Sequence, residues 1–370
     1  MNFDLNDDER LIADSVSRLL AKEYDFASRD AILKSGDGWS RDVWRQFAEL
    51  GVLGLPFDEA HGGFGGGPTA IMIVGEAIGR VLALEPYLST VILAGGAIAA
   101  GASDAQRDRL LPAIFAGETI VAFAHDEAAN RGRIDHVETR ATRDGDDWRL
   151  SGSKLLVLHG DVADRLVVTA RDAEGAVRLF LVDAAAPGVN RRGHPLHDGR
   201  RAAAIDFDGA AAEPLGGESD GAAVLADVLQ RGIAALCAET LGAMEAFLAL
   251  TLDYLKTRVQ FGRPIGSNQA LQHRAVDLRI AVETVRSATI VAIDALASAD
   301  AKDGARAIAQ AKYVVGKAAR RFAQEAVQLH GSIALTEEYA GSHYFRRLMT
   351  FEHLFGDTPT QLATLSASVE

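Results

Sequence analysis

Apolar residues recur at helical spacing at both ends of this chain and alternate with polar residues in its middle. That order predicts helices, then strands, then helices again. Asn6 or Asp7 can cap a first helix on which Ile12, Val16, Leu19 and Leu20 fall on one stripe. Trp44, Phe47, Leu50, Leu53 and Leu55 carry apolar surface into a glycine-rich loop over 56–68, and 71–84 and 103–115 supply further helices. The period then shortens to two. Val137, Thr139 and Ala141 alternate up to the hairpin signal Asp144-Gly145, and Trp148, Leu150 and Gly152 lead on to 155–158. A second pair, 166–170 and 177–182, is joined by Asp172, Ala173, Glu174 and Gly175, so a small antiparallel barrel or sandwich is expected. Beyond it one long helix is predicted over 224–258, a break at Gly262 and Pro264, and a restart at Leu271 with Leu278, Val282 and Val285 on one face. A further helix over 308–328 completes what reads as a four-helix bundle. The division expected is 1–118 helical, 119–217 β and 218–370 helical, an α+β chain.

Composition narrows the function. A hydrophobic share of 48% with only 6% aromatics fits Ala- and Leu-rich helices, and 370 residues suffice for two or three packed regions. The net charge of -13 argues against nucleic acid or an anionic membrane as partner. The single Cys237 cannot form an intrachain disulfide, which points to a reducing cytoplasm. The apolar run over 87–102 is broken by Gly95, Gly96 and Gly101 and is short for a membrane span. Gly62, Gly63, Gly65, Gly66 and Gly67 lack the GxGxxG spacing and follow no buried strand, so they read as a flexible connector rather than a phosphate cradle. No metal-ligand spacing stands out among His, Asp and Glu. The strongest chemical signal is Arg258 with Phe261. On one turn at the end of the long helix, a guanidinium fork and a ring at that spacing could hold a phosphate and a flat heteroaromatic system together.

The run Arg258-Val259-Gln260-Phe261-Gly262-Arg263-Pro264-Ile265 resembles the RxQFGxPI signature of the acyl-CoA dehydrogenases, and the resemblance extends over nearly the whole chain. It implies the α, β, α fold of that family, FAD as cofactor, an acyl-CoA substrate and assembly as dimers or tetramers through the C-terminal bundle. It further implies that Arg258 and Phe261 reach the FAD of a neighbouring protomer, with Gln260, Asn268 and Gln269 as further cofactor contacts. Gln328, Leu329, His330 and Gly331 resemble the family's QxxGG segment, with Ser332 in place of the second glycine; Thr358 keeps the family's threonine. Leu156, Val157 and Leu158 stand where the family has Trp-Ile-Thr against the flavin. His125, Asp126, Glu127 and Ala128 stand where it has a TEPxxGSD-like segment.

Making a 2,3-enoyl thioester needs a base beside the substrate carbonyl and a hydride acceptor on the next carbon. The family's base is a glutamate in a C-terminal YEGT motif, which reads Phe355-Gly356-Asp357-Thr358 here, or one on the long helix, where Gly232 stands. Both positions lack a carboxylate. Asp357, and behind it Glu352 and Glu239, are the candidate substitutes. The segments LPFDEAHGGFGGG, FAHDE, LVLHG and FGDT resemble the base-lacking subunits of heteromeric bacterial acyl-CoA dehydrogenases, such as the small subunit of pimeloyl-CoA dehydrogenase. In such assemblies a second subunit is expected to supply the glutamate. The resemblance also implies electron-transferring flavoprotein as the electron acceptor.

Overall fold

A computed structural model describes residues 5–130, 136–145, 147–216 and 220–367; the boundary expected at 217/218 lies outside them. In chain order it has helices α1 (Asp7–Glu23), α2 (Phe26–Leu33), α3 (Arg41–Glu49) and α4 (Gly67–Val81), a π-helix over Tyr87–Gly95, and helices α5 (Gly96–Gly101) and α6 (Asp104–Phe115). Strands β1 (Val121–Ala124), β2 (Arg140–Asp144), β3 (Asp147–Leu158), β4 (Arg165–Arg171), β5 (Val177–Asp183), β6 (Val189–Pro195) and β7 (Arg201–Pro214) follow. Then come α7 (Gly221–Thr257), the two-residue strands β8 (Val259–Gln260) and β9 (Arg263–Pro264), and helices α8 (Gln269–Ala295), α9 (Ala301–His330), α10 (Ala340–His353) and α11 (Thr358–Ala367). The chain packs into two compact units: Met1–Asp30, Pro68–Ala83 and Ile233–Glu370 form one, Ala31–Gly67 and Leu84–Gly232 the other.

The helical unit begins at a capping box. Asn6 accepts from the Glu9 backbone N–H while the Glu9 carboxylate accepts from that of Asn6, and the acidic first turn suits the helix dipole. Of the predicted stripe only Val16 and Leu20 are fully buried; Ile12 and Leu19 are half-exposed. Helices α4 and α7 touch backbone to backbone. A Cβ added at Gly79 would lie 1.8 Å from the Glu239 carbonyl oxygen, and one at Gly242 would lie 1.9 Å from that of Glu76, so only glycine admits this approach. Beside the contact, Arg347 of α10 donates to Glu239 of α7 at 2.6 Å, and both are buried. Arg29 donates to the Leu82 carbonyl at 2.9 Å and lies 2.8 Å from His343 Nδ1. These pairs satisfy carbonyls and charges that would otherwise be stranded in an apolar interior. By length and hydropathy α7 could cross a membrane, but most of it is buried inside the protein. Leu278, Val282 and Val285 of α8 are buried as the sequence predicts.

The second unit is built on a sheet that closes on itself. Strand β4 pairs with β2 and β5, β2 with β3, β3 with β7, and β7 returns to β5; β1 adds in parallel beside β4, and β6 beside β7. Closure leaves few open edges, which is how small antiparallel sheets avoid pairing with other chains. The β2–β3 and β4–β5 hairpins match the alternating pattern, while β1, β6 and β7 are additional strands. The glycine-rich loop differs from the flexible connector expected. Gly65 and Gly66 donate to the Phe57 and Leu55 carbonyls at 2.7 and 2.9 Å, and a Cβ at Gly63 would lie 2.3 Å from the Phe57 oxygen. Gly63 is there for close packing within a bonded loop, and Gly62, Gly65 and Gly67 for its left-handed turns.

Candidate active site

Helix α7 ends at Thr257, so Arg258 and Phe261 do not share a helical turn as the spacing suggested. They belong instead to a hairpin. Val259 and Gln260 pair with Pro264 and Arg263, and Phe261-Gly262 forms the two-residue tip. Both tip residues have positive φ, +54° and +79°, as the primed turns favoured in such hairpins require. Gly262 suits this conformation; a phenylalanine there is strained. Its ring is fully exposed, and Arg258 is exposed with no side-chain partner among the described residues. An aromatic ring held in solvent at a conformational cost marks a surface built to meet something.

The base of the hairpin is rigid. The Ile265 N–H donates to the Arg258 carbonyl at 2.9 Å, and Arg263 donates to Asn268 Oδ1 at 2.7 Å. Asn268 Nδ2 donates to the Ile265 carbonyl and Gln272 Nε2 to that of Gly266, both at 2.9 Å. Of the predicted cofactor residues, Asn268 is therefore engaged within the chain. Gln260 donates to the Val259 carbonyl, and Gln269 is exposed. At the end of α9, Gln328, Gly331 and Ser332 are exposed as well, with Gly331 at φ +72° where a side chain would be strained. His330 lies buried beneath them. Its Nδ1 donates to the Ala326 carbonyl at 2.9 Å and its ring stacks on Phe247. Burial lowers its pKa, so it is a packed neutral imidazole.

The turn between α10 and α11 carries the FGDT segment. Asp357 accepts from the N–H and hydroxyl of Thr360 at 2.9 and 2.6 Å, the geometry of a helix cap, and these bonds hold its pKa below the ordinary carboxylate value. Glu352 is buried and accepts from the Thr358 N–H at 2.9 Å. Glu239 is paired with Arg347. Lys312 of α9, also buried, donates to the Phe351 carbonyl at 2.6 Å, and burial pulls its pKa down to about 8. Phe355 and Gly356 both have positive φ, +56° and +89°. Gly232 is buried on α7.

In the barrel unit the segment expected to face a flavin holds an ion pair that the motif comparison missed. Lys154, wholly buried, donates to Glu127 Oε1 at 2.6 Å and Thr169 Oγ1 at 2.9 Å. Glu127 also accepts from the Glu138 and Thr139 N–H groups and the Thr139 hydroxyl. The parity of β3 is the signal that could have found it: Leu150 and Lys154 fall on the same inward face. A register irregularity between Lys154 and Val157 then breaks the alternation, leaving Leu155 exposed, Leu156 half-exposed and Leu158 buried. His125 is half-buried, its ring stacked on that of Phe123. His159, at positive φ, receives Ser89 Oγ at 3.0 Å on Nδ1 and directs Nε2 at the Leu84 carbonyl at 3.1 Å.

Burial holds both imidazoles neutral, His125 down to about 3 with Lys154 repelling its charged form, and His159 down to about 4. The unfolded chain takes up protons on them below pH 6.5 that the folded unit refuses. Their contribution to stability is thus complete above that pH and lost as pH falls toward 4, by about 1.4 kcal/mol per pH unit for each histidine. Urea midpoints that fall steadily between about pH 7 and 5 are the expected result; flat midpoints would contradict it. Apart from these sites, a cavity of about 590 Å³ opens between α1, α4 and α8, lined by Met72, Ile73, Ile290 and Ile293 with Arg80 and Arg286, and it holds none of the predicted residues.

The comparisons with known proteins agree along the chain. Residues 6–118, 122–208 and 219–370 match, in turn, the N-terminal, middle and C-terminal domain models of acyl-CoA dehydrogenase. Acyl-CoA dehydrogenase FadE27 of Mycobacterium tuberculosis is 32% identical, over 88% of this chain and 87% of its own. Among solved structures, the Tcur3481–Tcur3483 steroid ACAD G363A variant is 30% identical with a TM-score of 0.88, covering 98% of this chain and 97% of that one. The ChsE4–ChsE5 complex from Mycobacterium tuberculosis is 27% identical with a TM-score of 0.89, covering 100% and 99%. With all three domain models matched in order and a relative of this identity spanning most of both chains, the protein belongs to the acyl-CoA dehydrogenase family.

Proposed function

We infer that the protein is an FAD-dependent acyl-CoA dehydrogenase, working as one subunit of an assembly in which a second, homologous chain carries the base. The observation that carries this reading is the pairing of an outward hairpin with a turn whose base position is a glycine. Arg258 and Phe261 project from one surface of the helical unit, while Gly356 and Gly232 occupy both positions where a base glutamate would stand. The exposed residues fit a flavin dinucleotide. A guanidinium without an internal partner suits a diphosphate, and a solvent-facing ring suits contact with a flat heterocycle.

When bound, FAD supplies the hydride acceptor for oxidation of the acyl thioester to its 2,3-enoyl form. The chain's own part is to grip and orient. Three carboxylates could replace the missing base, and each is committed elsewhere: Asp357 caps α11, Glu352 holds the Thr358 N–H, and Glu239 pairs with Arg347. A capping carboxylate with a lowered pKa is a poor proton acceptor. This supports a base from the partner chain, as does the two-component make-up of the ChsE4–ChsE5 complex, to which the fold is similar. A scaffold without flavin chemistry is disfavoured, because all three domain models match along the chain. Electron-transferring flavoprotein is the electron acceptor this reading assigns, and a cytoplasmic setting fits the lone, buried Cys237.

The test is purification alone and with a co-expressed, base-bearing acyl-CoA dehydrogenase homologue. The joint preparation should be yellow and reduce its flavin on adding acyl-CoA, whereas the single chain should not turn over. Full acyl-CoA oxidation by the single chain would overturn the heteromeric reading, and rate loss in its Asp357→Asn variant would make Asp357 the base.

A further inference from the structure

The absence of a carboxylate at position 356 is more than a substitution, because the backbone and a neighbouring side chain have closed the space. Gly356 sits at φ +89°, and the residue before it, Phe355, at +56°, so two consecutive residues are left-handed. A Cβ built on Gly356 would stand 2.8 Å from Gln361 Nε2 and 3.3 Å from Thr360 Cγ2. Gln361 is buried, and its amide group donates to the Phe355 carbonyl at 3.1 Å and, more weakly, to that of Gly356 at 3.4 Å. The turn is anchored on either side as well, by Lys312 at the Phe351 carbonyl and by Glu352 at the Thr358 N–H. Glu352 in turn has room only because residue 316 is glycine: a Cβ there would lie 2.7 Å from its carboxylate.

We propose that Gln361 is a positioning residue that locks this turn in a glycine-only form and fills the space in which a base at position 356 would begin. The proposal rests on the reading above that this chain carries no base of its own, and it deepens that reading: restoring the carboxylate takes two changes. In Gly356→Glu the new side chain meets the Gln361 amide and is expelled from its working direction. In Gly356→Glu combined with Gln361→Ala, the amide is gone and the turn loses the two bonds that hold it, so it can leave the left-handed form and admit the side chain past Thr360.

Two measurements on the full chain test this, one independent of any ligand. In a double-mutant cycle, Gly356→Ala should lower the melting temperature by about 3 °C in the natural background and by about half as much in Gln361→Ala, where the clash partner and the bonds holding the turn have gone and the cost of the left-handed φ remains. Equal losses in the two backgrounds would overturn the proposal. The second follows exchange of the carbon-2 hydrogens of butyryl-CoA with deuterated water by mass spectrometry. In that exchange a carboxylate takes one proton from carbon 2 and a solvent deuteron returns to it, with no electron transfer. The double variant Gly356→Glu/Gln361→Ala should exchange about tenfold faster than Gly356→Glu alone. Matching rates with butyryl-CoA bound, shown by equilibrium dialysis, would refute a guarding role for Gln361, as would full exchange in Gly356→Glu by itself. If butyryl-CoA binds none of the variants, butyryl is the wrong acyl group for this chain, and the melting cycle alone decides on Gln361.

Discussion

Replacing Arg258 and Phe261 together by alanine is expected to weaken flavin retention in the assembled enzyme on the order of 100-fold, with almost no change in the melting temperature of the isolated chain. The two halves of the expectation have separate origins. Both side chains lie in solvent in the single chain, so deleting them removes no internal packing, and surface changes of this kind stay within about 0.5 kcal/mol. A guanidinium and a ring that become covered on assembly have the character of binding hot spots, worth about 2 to 4 kcal/mol when truncated. Phe261→Gly sharpens the contrast. It removes the ring and also relieves the positive φ, so the isolated chain should become slightly more stable while flavin is lost. Flavin content is measured by absorbance after gel filtration. Unchanged content in the double variant would remove the hairpin from the site.

Lys154→Met is expected to unfold the barrel unit more readily than any surface change, costing about 3 to 5 kcal/mol, because it strands Glu127 as a buried carboxylate. Burial by itself would raise the pKa of Glu127. The Lys154 ammonium and the donors from Glu138 and Thr139 reverse that and hold it below its ordinary value. Without the lysine the carboxylate must protonate or draw in water. Lys154 is itself pulled down to about 8 by burial, still charged at neutral pH. Adding Glu127→Gln to the lysine change should recover part of the loss, since a neutral amide can keep some of the same N–H donors without carrying a buried charge. Chemical denaturation of the single and double variants reads this directly. A double variant no more stable than Lys154→Met would mean that the stranded charge is not the main cost.

Much of the fold could be read from periodicity. Helices α1, α6, α7, α8 and α9 and the two hairpins β2–β3 and β4–β5 lie where spacing and caps put them, because each has a long periodic run or a turn signal at its boundary. Strand β6 was not legible: Asn190, Arg191, Arg192 and Gly193 alternate nothing apolar, and their pairing is decided by register with Asp206, Ile205, Ala204 and Ala203 of β7, whose own Ile205 and Phe207 do alternate with Asp206 and Asp208. In the candidate site, the Arg258–Phe261 signature was plain as a string but misleading as geometry, since helix spacing cannot foresee that α7 ends at Thr257 and that a hairpin follows. The Lys154–Glu127 pair joins strand β3 to the loop after β1, and the pattern of β3 shows that Lys154 faces inward but not which carboxylate meets it there. The bulge after Lys154 likewise hides the facing of Leu156 and Leu158 from any two-residue pattern.

The helical unit is assembled from the first thirty residues, a short stretch after Gly67 and everything from Ile233 onward. During synthesis, α1 and α4 therefore emerge long before the helices that cover them. Their buried side chains, Val16, Leu20, Ile71 and Val74 among them, must wait uncovered while the barrel unit is made. A nascent chain halted before Ile233 should bind chaperones through these stripes.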